Sequence, residues 1–236
     1  MVLMANKMRP HRIIWMLPVA VGWVWLVAVL PLSTAWAEEG RSPRPALPIR
    51  EIQATYEKIR DLSADFIHTV QFGDFESRSS TSGKFVFKRG DGTGKMRWDY
   101  ETPQRSQIFI DGDVVLHYMP EHQQVIKSRI GTASSLPFRL LSGSGHLDRD
   151  FHVVAGDTPN TSFLIPKEKI DGISQIHIQT APFPPLKGPI LEEVTMHEEN
   201  GNIVTFSFKK IRVNQGLTDD QIRLVLPKGV ERIDAP

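Results

Sequence analysis

The chain has 236 residues, with 28 Lys and Arg against 27 Asp and Glu, and no cysteine. Without cysteine there is no disulfide framework and no thiolate metal site, so the fold must be held by its apolar core. The near-balance of charge argues against nucleic acid as a partner, because such binding rests on a basic surface.

The first 37 residues read as a secretory leader. Lys7, Arg9 and Arg12 precede a nearly unbroken apolar run from Ile13 to Leu32, Pro31 breaks it, and Ala35-Trp36-Ala37 supplies small residues at a cleavage position. The run approaches the ~20 residues that span a bilayer, so a retained anchor is the alternative; Pro31 and the Ala-x-Ala site favour cleavage. Removing Lys7, Arg9 and Arg12 takes the basic count from 28 to 25 against an unchanged 27 acidic residues, leaving a mildly acidic product. No cysteine follows Ala37 to carry a lipid, so a free, exported, soluble protein is expected. Four of the five tryptophans go with the leader, and Trp98 is the one that remains. Residues 38–47, with Pro43 and Pro45, read as a flexible lead-in. Residues 48–236 are enough for one domain with a substantial core.

Pro48 opens a segment in which Ile49, Ile52, Tyr56, Ile59 and Leu62 recur at helical spacing, predicting an amphipathic helix over 48–61. The period then changes to two. Ala64, Phe66, His68, Val70 and Phe72 alternate with mostly polar residues, as do Phe85 and Phe87, and then Met96, Trp98 and Tyr100. Gly90 to Gly94 is a loose hairpin loop between the last two of these strands, and Asp111-Gly112-Asp113 a tight turn between strands 107–110 and 114–119. A strand over 123–129 follows. Residues 134–141 read as a short apolar helix carrying Leu136, Phe138, Leu140 and Leu141. Strand patterns resume over 151–155, 161–165, 173–179, 190–196, 203–212 and 222–226, with Asn200-Gly201 as a hairpin signal. The fold class is mainly β (α+β), about eleven strands in an antiparallel meander with a few helices, and not a doubly wound α/β enzyme.

A search for chemistry yields little. The histidines of the mature chain form no metal-ligand spacing, and His117 and His122 flank a turn at Pro120. No Gly-x-Ser-x-Gly elbow and no phosphate loop occurs, and Glu192-Glu193 and Asp219-Asp220 read as solvated surface. No catalytic residue, metal or cofactor is expected. What remains is an aromatic and aliphatic excess on consecutive strands: Phe85, Phe87, Met96, Trp98, Tyr100, Ile110, Leu116, Tyr118 and Met119. Those side chains either fill a core or line a ligand cavity, and periodicity leaves both readings open.

Beyond these patterns, Ser63-Ala64-Asp65-Phe66, Gly83-Lys84-Phe85-Val86-Phe87-Lys88-Arg89, Met96-Arg97-Trp98-Asp99-Tyr100 and Ile110-Asp111-Gly112 occur in an order that resembles the periplasmic outer-membrane lipoprotein carrier family, the LolA type. Leu136-Pro137-Phe138-Arg139-Leu140-Leu141, Phe163-Leu164-Ile165-Pro166-Lys167 and Leu226-Pro227-Lys228-Gly229-Val230 continue the resemblance. It implies an incomplete antiparallel β-barrel whose hydrophobic inner face is covered by helices. The implied function is non-enzymatic: a periplasmic carrier takes lipoproteins by their acyl chains from an inner-membrane ABC transporter and passes them to an outer-membrane receptor. By the same resemblance Arg89 holds the helical lid and Met96 and Trp98 lie on the inner face; with them Phe85, Phe87, Tyr100, Ile110, Leu116 and Tyr118, from the apolar excess on the same strands, are expected to line the acyl-chain cavity. Leu136, Phe138, Leu140 and Leu141 form the lid helix. The sequence departs from the family pattern at Gly90, where proline is usual, and in the longer loop Asp91-Gly92-Thr93. A same-fold sensor or regulator that binds lipid or envelope proteins without ferrying them is the alternative. A monomer is the simpler expectation for a shuttle.

Overall fold

The computed structural model describes residues 49–73, 77–90, 94–129, 140–141, 147–170 and 172–235. Helix α1 (Ile49–Tyr56) buries Ile49, Ile52, Thr55 and Tyr56 along one face and carries Glu51 in its first turn, where the helix dipole favours an acid. It stops short of residue 61. The amides of Lys58 and Ile59 bond three residues back, to Thr55 (3.2 Å) and Tyr56 (3.0 Å), so the last turn tightens before the chain extends.

Six strands then form a meander: β1 (Asp61–Gln71), β2 (Arg78–Lys88), β3 (Lys95–Thr102), β4 (Ser106–Asp111), β5 (Val114–Met119) and β6 (Gln124–Arg129). Helix α2 (Leu147–Asp150) leads into a second meander of β7 (Phe151–Ala155), β8 (Thr161–Pro166), β9 (Ile173–Phe183), β10 (Gly188–Glu198) and β11 (Ile203–Val213). A short helix α3 (Asp219–Ile222) and a last strand β12 (Glu231–Asp234) follow. All twelve strands belong to one sheet in the order β12-β6-β5-β4-β3-β2-β1-β11-β10-β9-β8-β7. The two meanders meet where β1 pairs antiparallel with β11, and the sheet does not close: β12 and β7 are its edges.

Two strand assignments also depart from the sequence reading. Ile222–Leu226 is not a strand. Ile222 ends α3, whose start is fixed by a capping box between Thr218 and Gln221, and residues 223–226 pair with no strand. Ile222 is buried and Leu224 and Leu226 half-buried, while Arg223 and Val225 are exposed. That alternation comes from an extended strap, with Arg97 Nη1 donating to the Arg223 carbonyl at 3.0 Å. Conversely, β12 was invisible to pattern. All four of its residues are exposed, and it pairs parallel to β6, Val125 opposite Arg232 and Ile126 opposite Ile233.

Candidate functional site

Register decides which side chains share the inner face. Phe85 opposes Trp98, which opposes Ile108; Phe87 opposes Met96, which opposes Ile110. Directly paired residues point to the same face, so Phe85, Phe87, Met96, Trp98 and Ile110 converge, and all are buried in one core. Tyr100, two residues from Trp98, packs at the margin of that core. Leu116 and Tyr118 are not with them. Ile110 pairs with Val115, so Val115 faces inward; Leu116 and Tyr118 stand opposite Phe109 and Gln107 on the outer face. Tyr118 and Val125, its partner on β6, are buried there apart from the main core.

The inner face carries a continuous aromatic cluster from four strands. The Trp98 ring meets Phe66 edge-on at 5.0 Å, Phe85 at 4.3 Å, Phe206 at 5.3 Å and Phe208 at 6.0 Å between centroids. Phe66 also meets Tyr100 edge-on at 5.0 Å. Those two rings come from β1 and β3, with β2 between them, at a backbone separation of roughly 9–10 Å. They touch because the intervening residue is Gly83, which opposes both Phe66 and Tyr100. A Cβ at Gly83 would lie 1.9 Å from the Asp99 carbonyl oxygen, so any side chain there must push the two strands apart.

Burial is uneven along this face. At the α1 end, Ile52, Tyr56, Ile59, Leu62, Phe87 and Met96 are each at most 3% exposed. At the far end His68, Val70, Tyr100, Val204 and Phe206 are half-buried. His68 stacks on Phe206 at 4.3 Å and 6°, and its Nδ1 lies 3.4 Å from the Tyr100 hydroxyl. Desolvation holds the His68 imidazole below its ordinary pKa and pushes the Tyr100 hydroxyl up to about 12. Both are therefore neutral, and the far end is polar without being charged.

The covering helix is fastened at its carboxyl end. Arg89, just past β2, donates Nε to the Ile59 carbonyl and Nη2 to the Tyr56 carbonyl, both at 2.9 Å, and its guanidinium lies 5.6 Å from the centroid of the Phe87 ring. Asn214, past the end of β11, accepts from the Arg60 amide at 2.7 Å and donates to the Lys58 carbonyl at 3.1 Å. The Tyr56 hydroxyl accepts from the Leu191 amide at 3.2 Å, and burial raises its pKa. Thus Arg89 grips the end of α1, and Asn214, Tyr56 and Gly83 take structural roles that the sequence reading had not assigned to them. Of the residues expected in a lid helix, Leu140 and Leu141 are helical and buried in the same core. Leu136 and Phe138 lie outside the described residues.

Sequence reasoning also left out Phe66, His68, Phe206 and Phe208. Their alternation was legible, but their membership depends on the pairing of β1 with β11, across some 140 residues, which no local pattern reports. Among the described residues no group of His, Asp and Glu could hold a metal, and no helix is long and apolar enough to cross a membrane. A cleft of about 760 Å³ beside Tyr100 has walls that include Lys84, Arg97, Asp99, Glu101 and Arg105. Arg97 pairs there with Asp99 at 3.0 Å and Lys84 with Glu101 at 3.4 Å, so its lining is charged and does not suit an apolar ligand.

Comparison with known proteins agrees with this architecture. Residues 57–224 match the family model described as outer membrane lipoprotein carrier protein LolA. The outer-membrane lipoprotein carrier protein of Histophilus somni strain 2336 is 32% identical over 185 residues, covering 78% of this chain and 85% of the relative. That of Pasteurella multocida is 29% identical over 210 residues, covering 89% and 93%. An uncharacterized conserved protein from Thermus thermophilus shares the fold at a TM-score of 0.51 and 12% identity, over 79% of this chain and 99% of the other. The chain belongs to the LolA family of outer membrane lipoprotein carrier proteins.

Proposed function

We propose that this protein is a periplasmic carrier that receives lipoprotein acyl chains from an inner-membrane ABC transporter and delivers them to an outer-membrane receptor. One observation supports it above the rest. In a chain of the LolA family, the inner face of an unclosed sheet presents contiguous aromatic rings that are sealed at one end and half-buried at the other. The relatives named above are themselves called lipoprotein carriers.

The energetics require such a device. Burying a methylene is worth ~0.8 kcal/mol, so an acyl chain of about sixteen carbons favours burial by roughly 12 kcal/mol. A lipidated protein does not cross water unaided, yet a deep rigid pocket would not let it go. A face that is sealed at one end and half-accessible at the other holds a chain without enclosing it. In this reading Phe85, Phe87, Met96, Trp98, Tyr100 and Ile110 form the wall the chains lie against. Leu140 and Leu141 belong to its cover, and Arg89 governs how firmly α1 stays in place. Residues 1–37 are the leader that sends the chain across the inner membrane and is removed. The protein acts by binding alone, without catalysis or cofactor.

Depletion of the protein followed by membrane fractionation tests the proposal. Lipoproteins destined for the outer membrane should accumulate in the inner membrane. Correct sorting after depletion would reject the shuttle and point to a same-fold regulator.

A further inference from the structure

His68 and Tyr100 stand out within the aromatic cluster because their polar atoms lie at its half-buried end, where cargo would enter. The deep rings, Phe66, Phe85 and Phe208, are buried and purely apolar. Polarity and exposure therefore rise together along the face. A ligand matching that gradient has a long apolar tail and an uncharged polar group where the tail ends.

The pair has unused hydrogen-bonding capacity. Its 3.4 Å separation is long beside the roughly 2.8 Å of a full-strength hydroxyl hydrogen bond. Thr81, which opposes His68 on β2, donates its hydroxyl to the His68 backbone carbonyl at 3.2 Å and so does not serve the ring. The rings themselves are fixed: His68 by its stack on Phe206, Tyr100 by its edge contact with Phe66 across Gly83. A rigid, neutral O–H beside a neutral imidazole suits a carbonyl oxygen, which needs a donor and no counter-charge.

Building on the carrier reading above, we infer that the Tyr100 hydroxyl and the His68 imidazole form a subsite for the ester or amide carbonyl that joins an acyl chain to its cargo. The aromatic face takes the hydrocarbon without regard to identity. The pair at its rim tells an acyl group from a plain alkyl chain and sets how far the chain slides in.

The test compares two lipids that differ by one carbonyl: a long-chain monoacylglycerol and the alkyl-glycerol ether of equal length. Each competes with an environment-sensitive apolar dye for the protein, for Tyr100→Phe and for His68→Phe. Tyr100→Phe loses only the hydroxyl, and His68→Phe keeps a ring to stack on Phe206. The natural protein should prefer the ester, and each variant should lower ester affinity about 3- to 10-fold more than it lowers ether affinity, the loss of one hydrogen bond. An ester-to-ether ratio that is the same in both variants as in the natural protein overturns the subsite while leaving the carrier intact. If neither lipid displaces dye from the natural protein, the carrier reading falls and the subsite with it.

Discussion

The two ends of the inner face are built from the same kinds of residue and do different work. Under α1, Tyr56, Ile59, Leu62, Phe87 and Met96 are packed to near-zero exposure, and Arg89, Asn214 and the Tyr56 hydroxyl tie helix to sheet. At the other end His68, Tyr100 and Phe206 are held by stacking and edge contacts and remain half-buried. Packing at the first end stabilises the fold. In the proposed carrier role, the second end keeps apolar area that a bound chain would cover. A carrier needs both, since a face sealed throughout has no room and one open throughout has no stable sheet behind it.

The largest expected contrast comes from truncating a ring at each end. Phe87→Ala should lower unfolding free energy by about 3–5 kcal/mol in a denaturant titration, because it opens a cavity in a sealed core. Phe206→Ala should cost only about 1–2 kcal/mol, as fits a half-buried ring, yet weaken apolar-dye binding more than Phe87→Ala does. Equal stability losses would erase the distinction between the ends.

Gly83→Ala tests the bridge that lets Phe66 reach Tyr100. Its new Cβ would meet the Asp99 carbonyl oxygen, so the β2–β3 ladder must spread, at about 3 kcal/mol, the upper range for overpacking. Chemical denaturation measures the loss; a variant as stable as the natural protein would show that the strands separate freely. At the sealed end, Tyr56→Phe leaves the buried Leu191 amide without its acceptor and should cost about 1–2 kcal/mol in the same measurement.

The smallest effect is one of pH. Burial depresses the pKa of His68 below its ordinary value of 6.5 in the folded protein, so the unfolded chain takes up the proton first. Stability should be level above about pH 7.5 and fall as pH drops through roughly 6.5 toward the lower folded-state value. Half-buried His117 on β5 shifts the same way and adds to the slope. A thermal midpoint followed from about pH 8 to 5 should slope less in His68→Gln; an unchanged profile would mean the imidazole is solvated in the folded state.

Much of this architecture was readable in the sequence. Alternation located eleven of the strands because most of them face a core on one side only, which imprints period two. It failed where burial and pairing part company. Ile222, Leu224 and Leu226 alternate without a ladder, and Glu231–Asp234 form a ladder with only one apolar residue, the exposed Ile233. The site was half legible. Phe85, Phe87, Met96, Trp98 and Ile110 share one face, whereas Leu116 and Tyr118 were added to them on composition. Only the register of Ile110 against Val115 shows that they face outward. Phe206 and Phe208 join the site through the distant β1–β11 pairing, and the contact of Arg89 with the end of α1 came into view only through the family resemblance, not through periodicity.

Trp98 gives the most direct measurement of the central claim. It touches Phe66, Phe85, Phe206 and Phe208 at the centre of the aromatic face, and it is the one tryptophan outside residues 1–37. With those residues removed, adding a long-chain acyl ester should shift its emission in a saturable way, and Phe206→Ala should move the curve to higher ligand concentration. Emission that stays constant while the ligand is shown to bind would place the acyl chain elsewhere and contradict the account.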